Sequence, residues 1–174
     1  ATLVKITPLS AVGAEVTEVD VTVLTAVQDA PLKAAFAQHG LLILDKDLTE
    51  ADHIGLAERW GQINTNRFFK AHADYPQIAL VDKTPDQIQN IGGDWHTDHS
   101  YDQVPALGSI LVAQVLPETG GDTWFASMYR AFDQLSEGLK TLLLTMNAVH
   151  SAKHVFGNQS EHMQANVSQK RMHR

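Results

Sequence analysis

The residues of this chain that could do chemistry are concentrated in the segment Trp95–Asp98 (WHTD), with a second motif, Gly120–Thr123 (GGDT), further along. In extended backbone, residues two positions apart leave the same face, so the His96 imidazole and the Asp98 carboxylate can grip one metal ion together. One more histidine would complete the two-histidine, one-carboxylate ligand set of non-haem iron sites, which keeps coordination positions open for a cosubstrate and oxygen. The spacing therefore predicts an iron site, although a short His-x-Asp pattern is also common by chance.

The second motif predicts a tight glycine turn that brings the Thr123 hydroxyl to the start of a strand. Thr123 follows His96 by 27 residues (123 − 96). From the residues alone two interpretations stay open. The hydroxyl could donate a hydrogen bond to a bound carboxylate, or the motif could be a β-turn followed by a residue of good strand propensity.

The composition excludes several other kinds of site. The chain has no cysteine, so disulfides, thiolate metal sites, iron–sulfur clusters and cysteine nucleophiles are absent, and a metal must be held by nitrogen and oxygen. A net charge of -7 without a basic run argues against nucleic-acid and anionic-membrane partners and favours a small molecule. No signal-peptide pattern or bilayer-length apolar stretch is present, so we expect a cytoplasmic enzyme.

Short strands and several helices must position these motifs. Apolar runs and alternation predict strands at residues 3–9, 14–20, 41–44, 78–81, 109–116 and 123–126, of which 41–44 is expected to be buried on both faces. Helices are predicted over residues 30–38, with Pro31 in the first turn and Gly40 at the end, and over 49–60, 129–135 and 137–146. The apolar stripe of the last two helices is expected to pack in the core.

Length and pattern together indicate one domain. The 174 residues and 44% hydrophobic content suit a single core, and no repeat or linker divides residues 1–174. Helices early in the chain and short strands later predict the α+β class with a jelly-roll-type core.

Taken together, the two motifs resemble the taurine dioxygenase / 2,4-dichlorophenoxyacetate dioxygenase family of Fe(II)- and 2-oxoglutarate-dependent oxygenases. The likeness covers most of the chain, including residues 13–20, 40–44, 59–62 and 149–151. It implies a double-stranded β-helix with flanking helices. It also implies that His96 and Asp98 bind Fe(II) and that Thr123 contacts a carboxylate of the cosubstrate 2-oxoglutarate, with no catalytic residue expected beyond the metal ligands.

The resemblance also implies a substrate pocket. His72 lies close to where some members place a histidine on the anionic group of the substrate, and His99 follows Asp98 at a position that faces the pocket. For both histidines a solvated loop side chain is the alternative. The implied reaction hydroxylates a small anionic substrate (a sulfonate, an alkyl sulfate or an aryloxyalkanoate) with molecular oxygen and releases succinate and CO2. Relatives are often dimers or tetramers, so a homo-oligomer is an open expectation.

The third iron ligand is not evident. In the family, the second iron-binding histidine and an arginine that binds the far carboxylate of 2-oxoglutarate belong to a downstream region, which Met172–Arg174 resembles only superficially. We therefore expect this chain to be the N-terminal portion of the domain. His150 and His154, four residues apart, are alternative third ligands.

Two functions of other classes remain as alternatives. The first is a cupin-like module that binds a metal or small molecule without redox chemistry, and the missing third ligand favours it. The second is a zinc hydrolase that uses His96, Asp98 and a C-terminal histidine, for which no general-base motif is present.

Overall fold

The computed structural model describes residues 4–88, 92–151 and 170–173. The chain divides into two compact units, Ala1–Leu56 with Leu111–Lys140 and Ala57–Ile110 with Thr141–Arg174. Helices and strands are mixed in the described residues, as the α+β prediction requires. None of the helices in these ranges is long and apolar enough to cross a membrane. The assignment of residues 1–174 to a single domain stays a prediction.

The first unit contains a three-stranded sheet. Strands β1 (Lys5–Pro8), β2 (Ala14–Thr17) and β3 (Leu42–Leu44) lie in the order β1-β2-β3. β1 runs antiparallel to β2, and β3 runs parallel to β2. All three strands lie within the predicted ranges. Gly13 has a φ of 96° and a Cβ there would stand 3.2 Å from the Leu41 side chain, so this turn position requires glycine.

Helix α1 (Ala26–His39) makes the crossover between the two parallel strands. Thr25 begins it with a capping box, in which Gln28 Oε1 accepts the Thr25 backbone N–H at 3.1 Å. Gly40 ends it in the left-handed region, as predicted. The start is earlier than predicted, because the capping pair lies upstream of Pro31. The placement of Pro31 in the first turn was therefore wrong, since this residue lies inside the helix.

Three further helices confirm the sequence prediction. Helix α2 (Glu50–Trp60) is capped by Thr49, whose hydroxyl accepts the Asp52 backbone N–H at 3.2 Å. Helix α3 (Met128–Asp133) is capped by Ser127, and helix α4 (Glu137–Leu144) follows it. Each of these helices begins beside a side chain that can accept a hydrogen bond from an unpaired N–H group of the first turn. Such a capping residue is a local signal that is visible in the sequence.

Sequence predictions of strand pairing and burial, which depend on contacts with distant residues, were wrong. Residues 109–116 and 123–126 form no strand, because no described segment pairs with them and an unpaired strand leaves its backbone groups without partners. Ile43 is 48% exposed rather than buried on both faces. The stripe expected in the core is also open to solvent: Leu139, Leu142, Leu143 and Met146 are between 40% and 56% exposed.

The second unit carries two small antiparallel pairs. β4 (Lys70–Ala71) pairs with β5 (Ala79–Leu80). β5 lies within the strand predicted at residues 78–81, whereas β4 was not predicted. β6 (Ala148–Ser151) pairs with β7 (Lys170–His173), which the sequence did not predict. The rings of Phe68 and Tyr101 are buried and meet edge-to-face at 6.0 Å. The described strands form three small sheets, so the closed jelly roll stays a prediction.

Candidate metal centre

His96 and Asp98 point toward each other, as their spacing predicts. Nε2 of His96 lies 3.2 Å from Oδ1 of Asp98. The Nδ1 atom of His96 lies 2.7 Å from the Asp94 carbonyl oxygen. Because a carbonyl only accepts, Nδ1 carries the proton and the lone pair of Nε2 faces the Asp98 carboxylate in the neutral ring. The structure thus offers a nitrogen and an oxygen donor to the same point in space.

These two atoms fit a first-row divalent metal ion. Neighbouring ligands that each lie about 2.0–2.2 Å from a metal and subtend a right angle are about 3 Å apart. The observed 3.2 Å separation agrees with that value. A nitrogen and a carboxylate oxygen also suit Fe(II), whereas thiolate-preferring metals find no ligand in a chain without cysteine.

Asp98 is held only lightly by its own side-chain contacts. Its side chain is 63% exposed, and Ser109 Oγ donates a long hydrogen bond of 3.4 Å to Oδ2. The carboxylate is therefore accessible to an ion, and its direction depends chiefly on the backbone of the turn that carries it.

A glycine fixes the position of the His96 ring from the other side. Gly92 has a φ of 71°, and a Cβ built there would stand 3.1 Å from His96 Cε1. Any larger residue would therefore meet the imidazole and would also adopt a backbone conformation that L side chains rarely take. The ring packs directly against the main chain at this position.

The third ligand is not found in the part of the chain that the structure describes. No group of three histidine, cysteine or acidic side chains suited to a metal occurs there. His150 forms a hydrogen bond through Nδ1 with Ser100 Oγ at 2.9 Å and is not grouped with His96 and Asp98. His154 lies outside the described residues.

A buried polar cluster lies immediately after the His96–Asp98 motif. His99 adopts a φ of 52°, which is uncommon for a residue with a side chain. Its Nδ1 lies 3.0 Å from Asp102 Oδ2, and Asn66 Nδ2 lies 3.3 Å from its Nε2. The other oxygen of Asp102 accepts a hydrogen bond of 2.8 Å from Arg67 Nη2. Asp102 itself is only 7% exposed.

The environment of this cluster shifts two pKa values. Burial alone would raise the pKa of the Asp102 carboxyl, but the hydrogen bonds from His99 and Arg67 outweigh it and hold that pKa below its usual value. Burial, assisted by the negative charge of Asp102, raises the pKa of Tyr101 to about 12. Asp102 is therefore charged and Tyr101 is neutral at ordinary pH.

A cavity of about 190 Å³ lies beside the metal motif within the second unit. Its lining residues, all but one of which carry a polar group, are His96, Thr97, Ser100, Tyr101, Val149, His150 and Ser151. Hydroxyl and imidazole groups of this kind can donate hydrogen bonds to an anionic ligand. Neither His72 nor His99 belongs to the lining of this cavity.

His72 is ordered by its own loop. Its Nδ1 accepts hydrogen bonds from the backbone N–H groups of Asp74 and Tyr75, each at 3.2 Å. In the neutral ring this places the proton on Nε2, which makes that atom a donor suited to an anion. Its role as a substrate contact stays a prediction, as does that of His99, whose two ring nitrogens both have protein partners.

Thr123 lies in the first unit, at the end of the predicted glycine turn. Gly120 and Gly121 have φ values of 76° and 75°, the left-handed backbone for which glycine was expected. A Cβ on Gly121 would stand 3.1 Å from Pro117 Cγ. The Thr123 side chain is exposed, and no strand begins there. Its contact with 2-oxoglutarate stays a prediction.

Sequence reasoning missed the side chains that contact the residues following Asp98. Asn66, Arg67 and Asp102 carry no recognisable spacing, because their partners are 33 and 35 residues away in the chain. Ser100 could not be identified from the sequence either, since its hydrogen-bond partner His150 lies 50 residues further along the chain. The only local signal was the density of polar residues after Asp98.

The geometry offers one nitrogen and one oxygen donor to a single metal ion, and comparison with known proteins identifies the family. The model of the Taurine catabolism dioxygenase TauD, TfdA family matches residues 5–174. The (S)-phenoxypropionate/alpha-ketoglutarate-dioxygenase of Delftia acidovorans is 36% identical over 162 residues, which cover 86% of this chain and 55% of that protein. The alpha-ketoglutarate-dependent 2,4-dichlorophenoxyacetate dioxygenase of Burkholderia sp. (strain RASC) is 47% identical over 130 residues, covering 66% of this chain and 44% of that protein.

A solved structure agrees with these sequences. The crystal structure of a taurine dioxygenase from Burkholderia xenovorans superposes with a TM-score of 0.74 at 26% identity, over 84% of this chain and 53% of the other. The chain belongs to the TauD/TfdA dioxygenase family. It spans about half the length of the curated relatives it matches.

Proposed function

We propose that the protein is an Fe(II)- and 2-oxoglutarate-dependent dioxygenase that hydroxylates a small anionic substrate and forms succinate and CO2. The observation that carries this proposal is the 3.2 Å approach of His96 Nε2 to Asp98 Oδ1 in a chain of the TauD/TfdA family. A non-redox binding module of the cupin kind would need no such family relationship, so the dioxygenase is favoured.

His96 and Asp98 would hold the iron, with a third ligand from outside the described residues. When bound, the iron supplies oxygen activation coupled to oxidation of 2-oxoglutarate. The residues of the chain bind and orient the reactants. Asp94 keeps the His96 proton on Nδ1, so that Nε2 remains a ligand atom. Thr123 would donate its hydroxyl to a carboxylate of 2-oxoglutarate, from a turn that two glycines shape.

The proposed substrate is a small organic anion, and an aryloxyalkanoate is the first class to test. Two of the relatives are named for phenoxypropionate and 2,4-dichlorophenoxyacetate, and both substrates carry a carboxylate beside an aryl ether. His72 supports an anionic substrate, because its neutral ring is held with the proton on Nε2. Sulfonates and alkyl sulfates carry the same charge and remain the competing classes.

The proposed fold of the whole domain is the double-stranded β-helix with flanking helices. The TM-score of 0.74 to a taurine dioxygenase supports it. The expected homo-oligomer and the cytoplasmic location stay predictions.

The test is an anaerobic titration of the full-length protein with Fe(II) and then 2-oxoglutarate. A dioxygenase of this kind should develop a metal-to-ligand charge-transfer band in the visible range, and succinate should form when oxygen is admitted. His96→Ala and Asp98→Ala should abolish both signals, whereas the matched controls His53→Ala and Asp86→Asn should keep them.

Each alternative gives a different result. A binding module would take up Fe(II) without the charge-transfer band or succinate. A zinc hydrolase would show neither signal and would release product from a hydrolysable substrate without oxygen. Succinate formation that persists in both ligand variants would remove His96 and Asp98 from the site.

A further inference from the structure

We propose that Asp102 is the positioning residue of the metal-binding turn: through His99 and Arg67 it fixes the backbone that aims the Asp98 carboxylate at His96. This inference rests on the proposed function, because it concerns the same metal site. Asp102 would touch neither metal nor substrate and would act only through the turn.

The turn that follows the His96–Asp98 motif has a strained backbone conformation. Residues 98–101 form a turn that the Asp102 N–H closes with a 3.0 Å hydrogen bond to the His99 carbonyl. His99 adopts a φ of 52°, where an L side chain is strained. Conformations of this kind persist only where surrounding contacts over-determine them. The contacts of His99 must therefore hold the turn.

The contacts of His99 define one hydrogen-bond arrangement. Asn66 Oδ1 accepts the backbone N–H groups of Phe68 and Phe69 at 2.8 and 3.2 Å, so its Nδ2 is the atom that faces His99. Since Nδ2 can only donate, His99 Nε2 accepts and the His99 proton lies on Nδ1. That proton is donated to Asp102 Oδ2 at 3.0 Å. Each polar atom in this chain of contacts has a complementary partner.

Arg67 anchors the Asp102 carboxylate. Asp102 is nearly inaccessible to solvent, and its second oxygen binds the Arg67 guanidinium at 2.8 Å. The guanidinium carbon lies 5.1 Å from the Phe68 ring centroid and 5.9 Å from that of Tyr101. A buried carboxylate with a stacked arginine is a stiff attachment point, because any displacement would leave a charge without its partner.

The turn anchored by Asp102 also carries the proposed metal ligand Asp98. Asp98 precedes His99 directly, and its exposed side chain has only the 3.4 Å contact with Ser109 beyond its approach to His96. Little besides the backbone of the turn decides where its carboxylate points. Loss of the Asp102–His99 contact should therefore loosen Asp98 and weaken metal binding without touching a ligand.

The test measures Mn(II) binding to the folded full-length protein at low temperature, with the EPR signal of the free ion as the readout. The visible spectrum of the Co(II) form reports the ligand geometry. Asp102→Asn should weaken Mn(II) binding about tenfold, the lower end of what outer-shell partners of a metal contribute. The control Asp86→Asn, an exposed carboxylate of the same unit, should bind as tightly as wild type.

Two variants at one position separate anchoring from backbone strain. Glycine and asparagine both tolerate a positive φ, but only asparagine carries an amide nitrogen where His99 carries Nδ1. We expect His99→Gly to lose about tenfold in Mn(II) affinity and to change the Co(II) spectrum, and His99→Asn to stay within about threefold of wild type.

The outcomes are distinguishable. If wild type binds no Mn(II), the proposed function fails and this inference fails with it. If wild type binds Mn(II) and the two His99 variants bind equally well with the same Co(II) spectrum, only the inference is overturned. If Asp102→Asn does not fold, the His99 pair decides, because both variants keep the Arg67–Asp102 ion pair.

Discussion

Replacement of Gly92 by alanine tests whether the His96 ring stands where the structure places it. The added Cβ would lie 3.1 Å from Cε1 of His96, several tenths of an ångström inside an ordinary contact, and the φ of 71° is unfavourable for alanine. The left-handed conformation costs an alanine about 1–2 kcal/mol. Alanine also restricts the unfolded chain more than glycine does, which offsets about 0.4–1 kcal/mol of this cost. The net loss in free energy of unfolding should therefore be about 1 kcal/mol.

The effect on the metal is separable from this backbone strain. To relieve the contact, the imidazole must move by a few tenths of an ångström, and Nε2 moves with it away from its 3.2 Å separation from Asp98. We expect Gly92→Ala to weaken Fe(II) or Mn(II) binding about tenfold, which corresponds to about 1.4 kcal/mol. The matched control is Gly40→Ala, where φ is 73° and nothing lies within 4 Å of the added Cβ.

Urea unfolding and Mn(II) EPR on both variants give the two quantities. Similar stability losses with weaker Mn(II) binding in Gly92→Ala alone would agree with the structure. If Gly92→Ala binds Mn(II) within about twofold of Gly40→Ala, the contact between Gly92 and the ring does not exist in solution and the reasoning about His96 is refuted.

Three further outcomes are expected. In an alkaline titration followed by tyrosinate absorbance, the difference between wild type and Tyr101→Phe should show a pKa of about 12 for Tyr101. The contribution of Tyr101 to stability should be intact below about pH 10 and should be lost as the pH rises toward 12, because the unfolded chain releases this proton first. Leu32→Ala should lower the free energy of unfolding by about 2–5 kcal/mol, since Leu32 is fully buried, while exposed Val23→Ala should stay within about 0.5 kcal/mol. Thr123→Ala should raise the 2-oxoglutarate concentration needed for turnover with Mn(II) affinity unchanged; an unchanged requirement would exclude Thr123 from the cosubstrate site.

The features that were predictable from sequence are those whose causes lie within a few residues. Thr49 caps α2 through Asp52, three positions away, and Gly40 ends α1 four positions after the carbonyl it satisfies. The short distance between the His96 and Asp98 side chains was predictable for the same reason, because a separation of two residues in the chain largely fixes that distance. Such signals need no knowledge of the rest of the chain.

Features that depend on distant partners could not be predicted in this way. Residues 109–116 have the composition of a strand, but strand formation requires a neighbour that the local pattern does not specify. Leu142 has the periodicity of a core position, yet burial also requires a covering element. The support of the metal turn is of this kind, since Arg67 reaches Asp102 across 35 residues.

The two carboxylates that flank His99 show why this support matters to chemistry. Asp98 and Asp102 are identical groups four residues apart, and a metal ion would be attracted to either. Both oxygens of Asp102 are occupied, one by Arg67 and the other by His99, and the side chain is buried. Because an ion would have to break a buried charge pair to reach it, Asp102 cannot compete as a ligand. Asp98 lacks such partners and is exposed, so its charge remains available for the metal. The environment, rather than the residue type, therefore separates the proposed ligand Asp98 from the proposed positioning residue Asp102.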